Sequence, residues 1–267
     1  MFLFKNNHRI LSQGYSKREE LCMQVAFFPG CIVDTLYPEV GKAAVRVLEK
    51  VGCTLTLPHQ QICCGQPLFN SGYAAKSLPV IKKIIDAYAE YETIVFLSGS
   101  CLSAVVDDYP DLLTRAPEYK EKLDTLVAHS HEFSDFLVND LQLTNVGATL
   151  NASIVYHRSC HLTRMLKIEK EPLALLSKVK GLTILELEHA ERCCGFGGTF
   201  SVKEPKISGA MVREKCKTID QSGADIVCAA DQACVMNIDG ALQRMYKERS
   251  IKRPIRAMHL AEILASE

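Results

Sequence analysis

The chain is written twice, and that repetition limits what it can fold into more than any other feature. Cys63-Cys64-Gly65 returns in the second half as Cys193-Cys194-Gly195. Upstream, Val25-Ala-Phe-Phe-Pro-Gly-Cys31 is echoed by Ile154-Val-Tyr-His-Arg-Ser-Cys160. Downstream, Thr93-Ile-Val-Phe-Leu-Ser-Gly-Ser-Cys101 is echoed by Asp225-Ile-Val-Cys-Ala-Ala-Asp-Gln-Ala-Cys234. At the ends, His129-x-x-Glu132 matches His259-x-x-Glu262 at the same offset as the Cys-Cys-Gly pair. A repeat of this length describes two homologous halves, here 23–140 and 150–267. Residues 1–22 precede a second methionine, Met23, and read as a tail or a misassigned start.

Each half carries the same local pattern. Val25–Phe28 is a short apolar run closed by Pro29-Gly30, as a buried strand should be. Val40, Ala43, Ala44, Val47, Leu48 and Val51 then recur at helical spacing until Gly52. Thr54–Leu57 reads as a second strand, Pro79–Tyr91 as a second helix and Thr93–Leu97 as a third strand. Strands alternating with helices make parallel sheets with right-handed crossovers. The expected fold is therefore α/β: two Rossmann-like halves, each a small parallel sheet with flanking helices. Cys31, Cys63, Cys64 and Cys101 follow strand ends in the first half, as do Cys160, Cys193, Cys194 and Cys234 in the second. In an open parallel sheet those carboxyl ends share one edge, where ligands bind.

Composition narrows the chemistry. Twelve cysteines in 267 residues fall short of the roughly 8–10% of a disulfide scaffold. With 31 basic and 31 acidic residues the formal charge is zero, which disfavours nucleic-acid binding through a general positive field. No apolar run of about 18 residues is present to span a membrane, and the start lacks a signal-peptide apolar core. A cytoplasmic protein with reduced thiols is expected, and there clustered cysteines bind metal or do redox chemistry. Buried apolar cysteine is the bland alternative, and recurrence in register argues against it.

Four thiolates per site suit zinc or an iron–sulfur cluster. Structural zinc prefers C-x-x-C turns; adjacent cysteines on extended backbone point apart and reach different irons of a larger cluster. Glycines after each pair let backbone N–H groups approach an anionic ligand.

The pattern Cys31, Cys63-Cys64-Gly65, Cys101 resembles the cysteine-rich domain of heterodisulfide reductase and its relatives. Val33-Asp-Thr-Leu-Tyr-Pro-Glu-Val40, Cys63-Cys-Gly-Gln-Pro67, Asn70-Ser-Gly72, Ser98-Gly-Ser-Cys101, Ser159-Cys-His-Leu162 and Cys193-Cys-Gly-Phe-Gly-Gly-Thr-Phe-Ser-Val202 resemble the lactate utilization protein A family, from about Met23 to Leu264. The resemblance implies an iron–sulfur oxidoreductase subunit of a cytoplasmic complex that oxidises L-lactate to pyruvate, with lactate utilization proteins B and C as partners. It also implies the eight cysteines as cluster ligands. The wider family ends each motif in C-x-x-C, whereas here Ser98 and Asp231 stand at the first of those positions. Four thiolates per half remain, enough for two ordinary [4Fe-4S] clusters, with Ser98, Asp231 and His161 as candidate extra ligands and zinc in one half as an alternative. The chain has no ferredoxin-type cysteine run and no Gly-x-Gly-x-x-Gly dinucleotide turn. Electrons must then be exchanged with another polypeptide and an external acceptor. Rival readings are a subunit acting on glycolate or a disulfide, and a zinc-stabilised scaffold without redox activity.

Other residues carry less. An imidazole beside Cys160 can ligate metal, donate N–H bonds or hold a carboxylate together with Arg158 or Arg164; for His157 a satisfied loop histidine is the favoured reading. His129 and His259 read as helix-start residues, each with a glutamate three positions on. Cys22, Cys53, Cys216 and Cys228 have no counterpart in the other half and read as incidental: Cys53 as a helix end, Cys228 as near enough to Cys234 to substitute. The basic run Arg244, Lys247, Arg249, Lys252, Arg253 and Arg256 reads as a solvated face.

Overall fold

The computed structural model describes residues 23–58 and 62–267; the expected tail and Cys22 lie outside them. Eight strands form two four-stranded sheets, parallel throughout. The first comprises β1 (Met23–Phe28), β2 (Cys53–Thr56), β3 (Ile94–Phe96) and β4 (Ser130–Glu132), in the order β2-β1-β3-β4. The second comprises β5 (Thr149–Tyr156), β6 (Lys180–Ile184), β7 (Ile226–Ala229) and β8 (Arg256–His259), in the order β6-β5-β7-β8. The two orders are identical, as the sequence repeat requires.

The central strands are apolar because both their faces are covered. Val25–Phe28, Ile94–Phe96 and Ile226–Ala229 are buried throughout, whereas the edge strand Lys180–Ile184 is largely exposed. Each half has an outer core of its own, and a third core is shared. In the shared core Val25, Val40, Val47 and Val95 of the first half pack with Ile154, Leu175, Ile226 and Leu260 of the second. Helix Pro38–Lys50 lies against helix Leu260–Leu264. The halves thus face each other across apolar side chains that neither could cover alone.

Helix Ala74–Tyr88 of the first half and Pro205–Gln221 of the second bury matching positions: Ser77 with Ser208, Ile81 with Val212, Ile84 with Lys215, Ile85 with Cys216, Tyr88 with Ile219. The first of these helices starts ahead of Pro79, with the Ser77 hydroxyl donating to the Ala74 carbonyl, and ends before Tyr91. Cys53 opens β2 instead of ending a helix.

The ends of the halves correct the repeat as read from the sequence. His129 does not open a helix; it closes helix Lys120–Ala128, and its Nδ1 lies 2.9 Å from the Tyr91 carbonyl oxygen. The true counterpart of His259 is Glu132, since β4 ends at Glu132 and β8 at His259 and each residue caps the helix that follows. Glu132 Oε2 accepts from the backbone N–H groups of Ser134 and Asp135 at 2.7 and 3.1 Å. His259 Nδ1 accepts from Ala261 N–H at 3.1 Å, and Glu262 accepts from His259 N–H at 2.8 Å, a capping box.

Candidate metal centre

All eight repeated cysteines line one cavity, formed where the carboxyl edges of the two sheets converge. Counting its open mouth, the space is about 890 Å³. The sequence suggests two separate sites; the shared core turns both sheet edges toward the same space.

In the first half β1 delivers Cys31 through Gly30, whose φ of +82° suits glycine. A side chain there would stand 3.5 Å from Cys101 Sγ. Cys31 Sγ lies 3.6 Å from Cys63 Sγ, Cys63 interacts with Cys64, and Cys64 with Cys101. The second half repeats the chain of contacts: Cys160 with Cys193, Cys193 with Cys194, and Cys194 Sγ 3.2 Å from Cys234 Sγ. Both members of each adjacent pair line the same cavity.

The middle sulfurs, Cys63 and Cys193, are held far below the ordinary thiol value, chiefly because Cys31 and Cys160 donate to them. The donors Cys31 and Cys160 are pushed up by the same bonds and by burial. Each quartet is thus a set of sulfurs sharing protons, and a metal cation is what replaces protons in such a set.

Matching bonds fix the cysteine loops. The Tyr109 hydroxyl donates to the Cys64 carbonyl at 2.6 Å, and Asn237 Nδ2 donates to the Cys194 carbonyl at 2.9 Å. Gln66 Nε2 donates to the Ser100 carbonyl at 3.2 Å. Asp231 joins the halves at the cavity wall: Oδ1 accepts from Ala233 N–H at 3.0 Å, and Oδ2 from Ser100 N–H at 2.9 Å and from the Ser98 hydroxyl at 3.4 Å. Both carboxylate oxygens are engaged as a cap and a cross-link. His161 lines the cavity, its Nδ1 3.7 Å from Cys160 Sγ.

His157 departs from its expected role. It is fully buried, neither ring nitrogen has a hydrogen-bond partner, and it groups with the Cys194 and Cys234 sulfurs, all three ligand atoms lying within 4.8 Å of one another. Arg158 and Arg164 are not available for a carboxylate in the cavity: Arg158 pairs with Glu169, and Arg164 donates to the Glu191 carbonyl at 2.9 Å. Lys215 is the residue sequence reasoning missed. Its ammonium, fully buried, donates to the His189 and Ala190 carbonyls at 2.6 and 3.2 Å, just before Cys193. The signal was present, since Lys215 falls on the apolar stripe of its helix.

Among the described residues the cysteines without counterparts stay out of the cavity: Cys53 and Cys228 sit in the shared core, Cys216 in the outer core of the second half. Arg244, Lys247, Arg249, Lys252 and Arg256 face solvent, and Arg253 donates to the Ala224 carbonyl.

The cysteine-rich CCG domain family matches this chain twice, over residues 25–105 and 154–239. Lactate utilization protein A of Bacillus pumilus is 45% identical over 244 residues, covering 91% of this chain and all of the relative. That of Halalkalibacterium halodurans is 46% identical over 242 residues, covering 91% and 96%, and that of Bacillus subtilis 44% over 244 residues, covering 91% and 100%. Among solved structures, a hypothetical protein from Helicobacter pylori shares the fold, with a TM-score of 0.51 and 11% identity over 93% of this chain and 49% of that one.

Proposed function

The chain belongs to the lactate utilization protein A family, and on that premise we propose that it is the iron–sulfur subunit of an NAD-independent oxidoreductase complex that converts L-lactate to pyruvate. That reaction releases two electrons and two protons. In this reading the halves 23–140 and 150–267 are two domains, each holding a [4Fe-4S] cluster. Cys31, Cys63, Cys64 and Cys101 hold one; Cys160, Cys193, Cys194 and Cys234 hold the other. The observation that carries it is the convergence of all eight thiols on one cavity.

The chemistry of the donors fits such a group: each half offers four soft thiols to one cavity of about 890 Å³. Sulfurs 3.2 and 3.6 Å apart lie close to the edge of roughly 3.8 Å that Zn–S bonds of about 2.3 Å make in a tetrahedron. A cluster must therefore spread the thiols further than a single ion would. When bound, an iron–sulfur cluster supplies one-electron storage. The chain's own side chains do the rest. Ile32, Val33, Pro67 and Phe196 wall the space against water, Tyr109 and Asn237 fix the cysteine loops, and Asp231 holds the halves together.

Among the described residues no arginine or lysine lines the cavity, and His161 is the one imidazole among the residues that do, so a lactate carboxylate has no guanidinium or ammonium partner there. This supports oxidation of the substrate on another polypeptide, with lactate utilization proteins B and C as the partners and an external electron acceptor. No described helix is long and apolar enough to cross a membrane, and we place the complex in the cytoplasm.

Iron, sulfide and zinc analysis after anaerobic purification, with EPR before and after dithionite, tests the reading. About eight iron and eight sulfide per chain and a reducible signal are expected, with Cys64→Ser or Cys194→Ser each removing about half. Zinc without sulfide would replace the proposal with a structural scaffold.

A further inference from the structure

The two quartets are alike in their thiols and unlike in what surrounds them. Where the first half buries Ile84 on its helix, the second buries Lys215, an ammonium that donates to the His189 and Ala190 carbonyls on the loop leading to Cys193. Where β1 runs into Pro29 and Gly30, β5 runs into His157, whose imidazole groups with Cys194 and Cys234 and finds no other partner. Around the first quartet the polar groups are already committed. The Tyr88 hydroxyl donates to the Phe27 carbonyl and that of Tyr109 to the Cys64 carbonyl, and the Phe28 and Phe96 rings stack at 4.6 Å.

A buried polar side chain without a partner costs free energy, so an imidazole left bare beside two sulfurs marks the place of something absent from the protein alone. A thiolate-bound cluster is anionic, and more so when reduced. N–H donation to its sulfurs and a nearby positive charge favour the reduced form, with little screening in a buried site.

We infer that His157, backed by Lys215, is a positioning residue for the second site that sets its reduction potential above that of the first. One electron given to the chain then settles in the second half: the first group is oxidised by one electron, the second is reduced by one, and no bond is made or broken. The inference rests on the two-cluster reading above.

The test is an anaerobic dithionite titration of the full chain followed by EPR, with Cys64→Ser and Cys194→Ser assigning each signal to its half. The second-half signal is expected to appear first in the wild type. His157→Leu should lower its reduced-to-oxidised ratio at fixed potential about tenfold, a midpoint shift of about 59 mV for one electron, and leave the first-half signal in place. His157→Gln, which keeps an N–H donor, should restore most of the difference, and Lys215→Met should move the same signal in the same direction as His157→Leu. Signals that move together, that do not move, or that appear in the reverse order overturn the inference. Loss of second-half iron in His157→Leu overturns it in favour of a direct ligand. A wild-type chain without iron and sulfide overturns the cluster reading and this inference with it; one that loads both groups and reduces them together overturns the inference alone.

Discussion

Glu132 and His259 occupy matching caps, and both are fully buried. Desolvation pushes the Glu132 carboxyl from 4.5 up to about 7, against the opposing pull of the Ser134 and Asp135 bonds. Desolvation likewise pulls His259 from 6.5 down to about 4. At 1.36 kcal/mol per pH unit each displacement is worth about 3 kcal/mol. The signs are opposite. Glu132 favours the fold at low pH, and its contribution is lost as pH rises from about 4.5 through 7. His259 favours the fold above about 6.5, and its contribution is lost as pH falls through about 4. Between those limits the folded chain keeps a proton on Glu132 that the unfolded chain has released, and lacks one on His259 that the unfolded chain has taken up. The two slopes cancel there. Glu132→Gln removes one of them. The stability difference between variant and wild type should move in the variant's favour by about 3 kcal/mol between pH 4.5 and 8. Urea denaturation of both chains, prepared identically and anaerobically, measures that difference at each pH, and whatever the chains share drops out. A difference that stays flat across the range would mean that Glu132 ionises at its ordinary value, and the burial argument would fail.

Gly195→Ala should cost more than Gly65→Ala. Both glycines have φ near the left-handed region, at +83° and +85°, worth about 1–2 kcal/mol. A Cβ at 195 would also stand 2.9 Å from the Ser208 carbonyl oxygen, whereas one at 65 meets Val80 no closer than 3.5 Å; comparing urea midpoints and iron content would show the second site failing first. Asp231→Ala should lower stability by about 1–2 kcal/mol through loss of its cap and leave iron content unchanged, and loss of second-half iron would instead make Asp231 a ligand. Cys228→Ala, in the shared core, should leave metal content untouched at a packing cost of about 1 kcal/mol.

The sheets were legible because Val25–Phe28, Thr93–Leu97 and Ile226–Ala229 are apolar runs bounded by turn residues, and parallel topology then placed the eight repeated cysteines at one edge. The final register was misread because His-x-x-Glu recurs at a convenient spacing. What the two positions share is a capping role, which a carboxylate and an imidazole fill equally well, so chemistry repeats there while residue identity does not. His157 was misjudged because a loop histidine's partners come from distant segments, and no local pattern tells a satisfied ring from a bare one. Lys215 could have been caught: a lysine on a helix stripe that otherwise buries Ser208, Val212, Cys216 and Ile219 demands an explanation. The shared cavity was beyond reach, since neither half's pattern says which face of its sheet will meet the other.

That meeting explains the two positions where the wider family pattern has further cysteines. Ser98 and Asp231 stand shortly before Cys101 and Cys234, at the start of the helices that carry them. Asp231 spends its carboxylate on Ala233 N–H within its own half and on Ser98 and Ser100 N–H in the other. The Ser71 and Thr199 hydroxyls add a second cross-link at 3.0 Å, and each follows its cysteine pair by a few residues. These bonds between the halves fall on the cysteine loops themselves. Under the proposed assignment, a donor that would have made a fifth ligand in each half is exchanged for a tie between the two sites. These ties fix how far apart the two cysteine loops stand, so the separation of the two sites is set whichever of the quartets is filled.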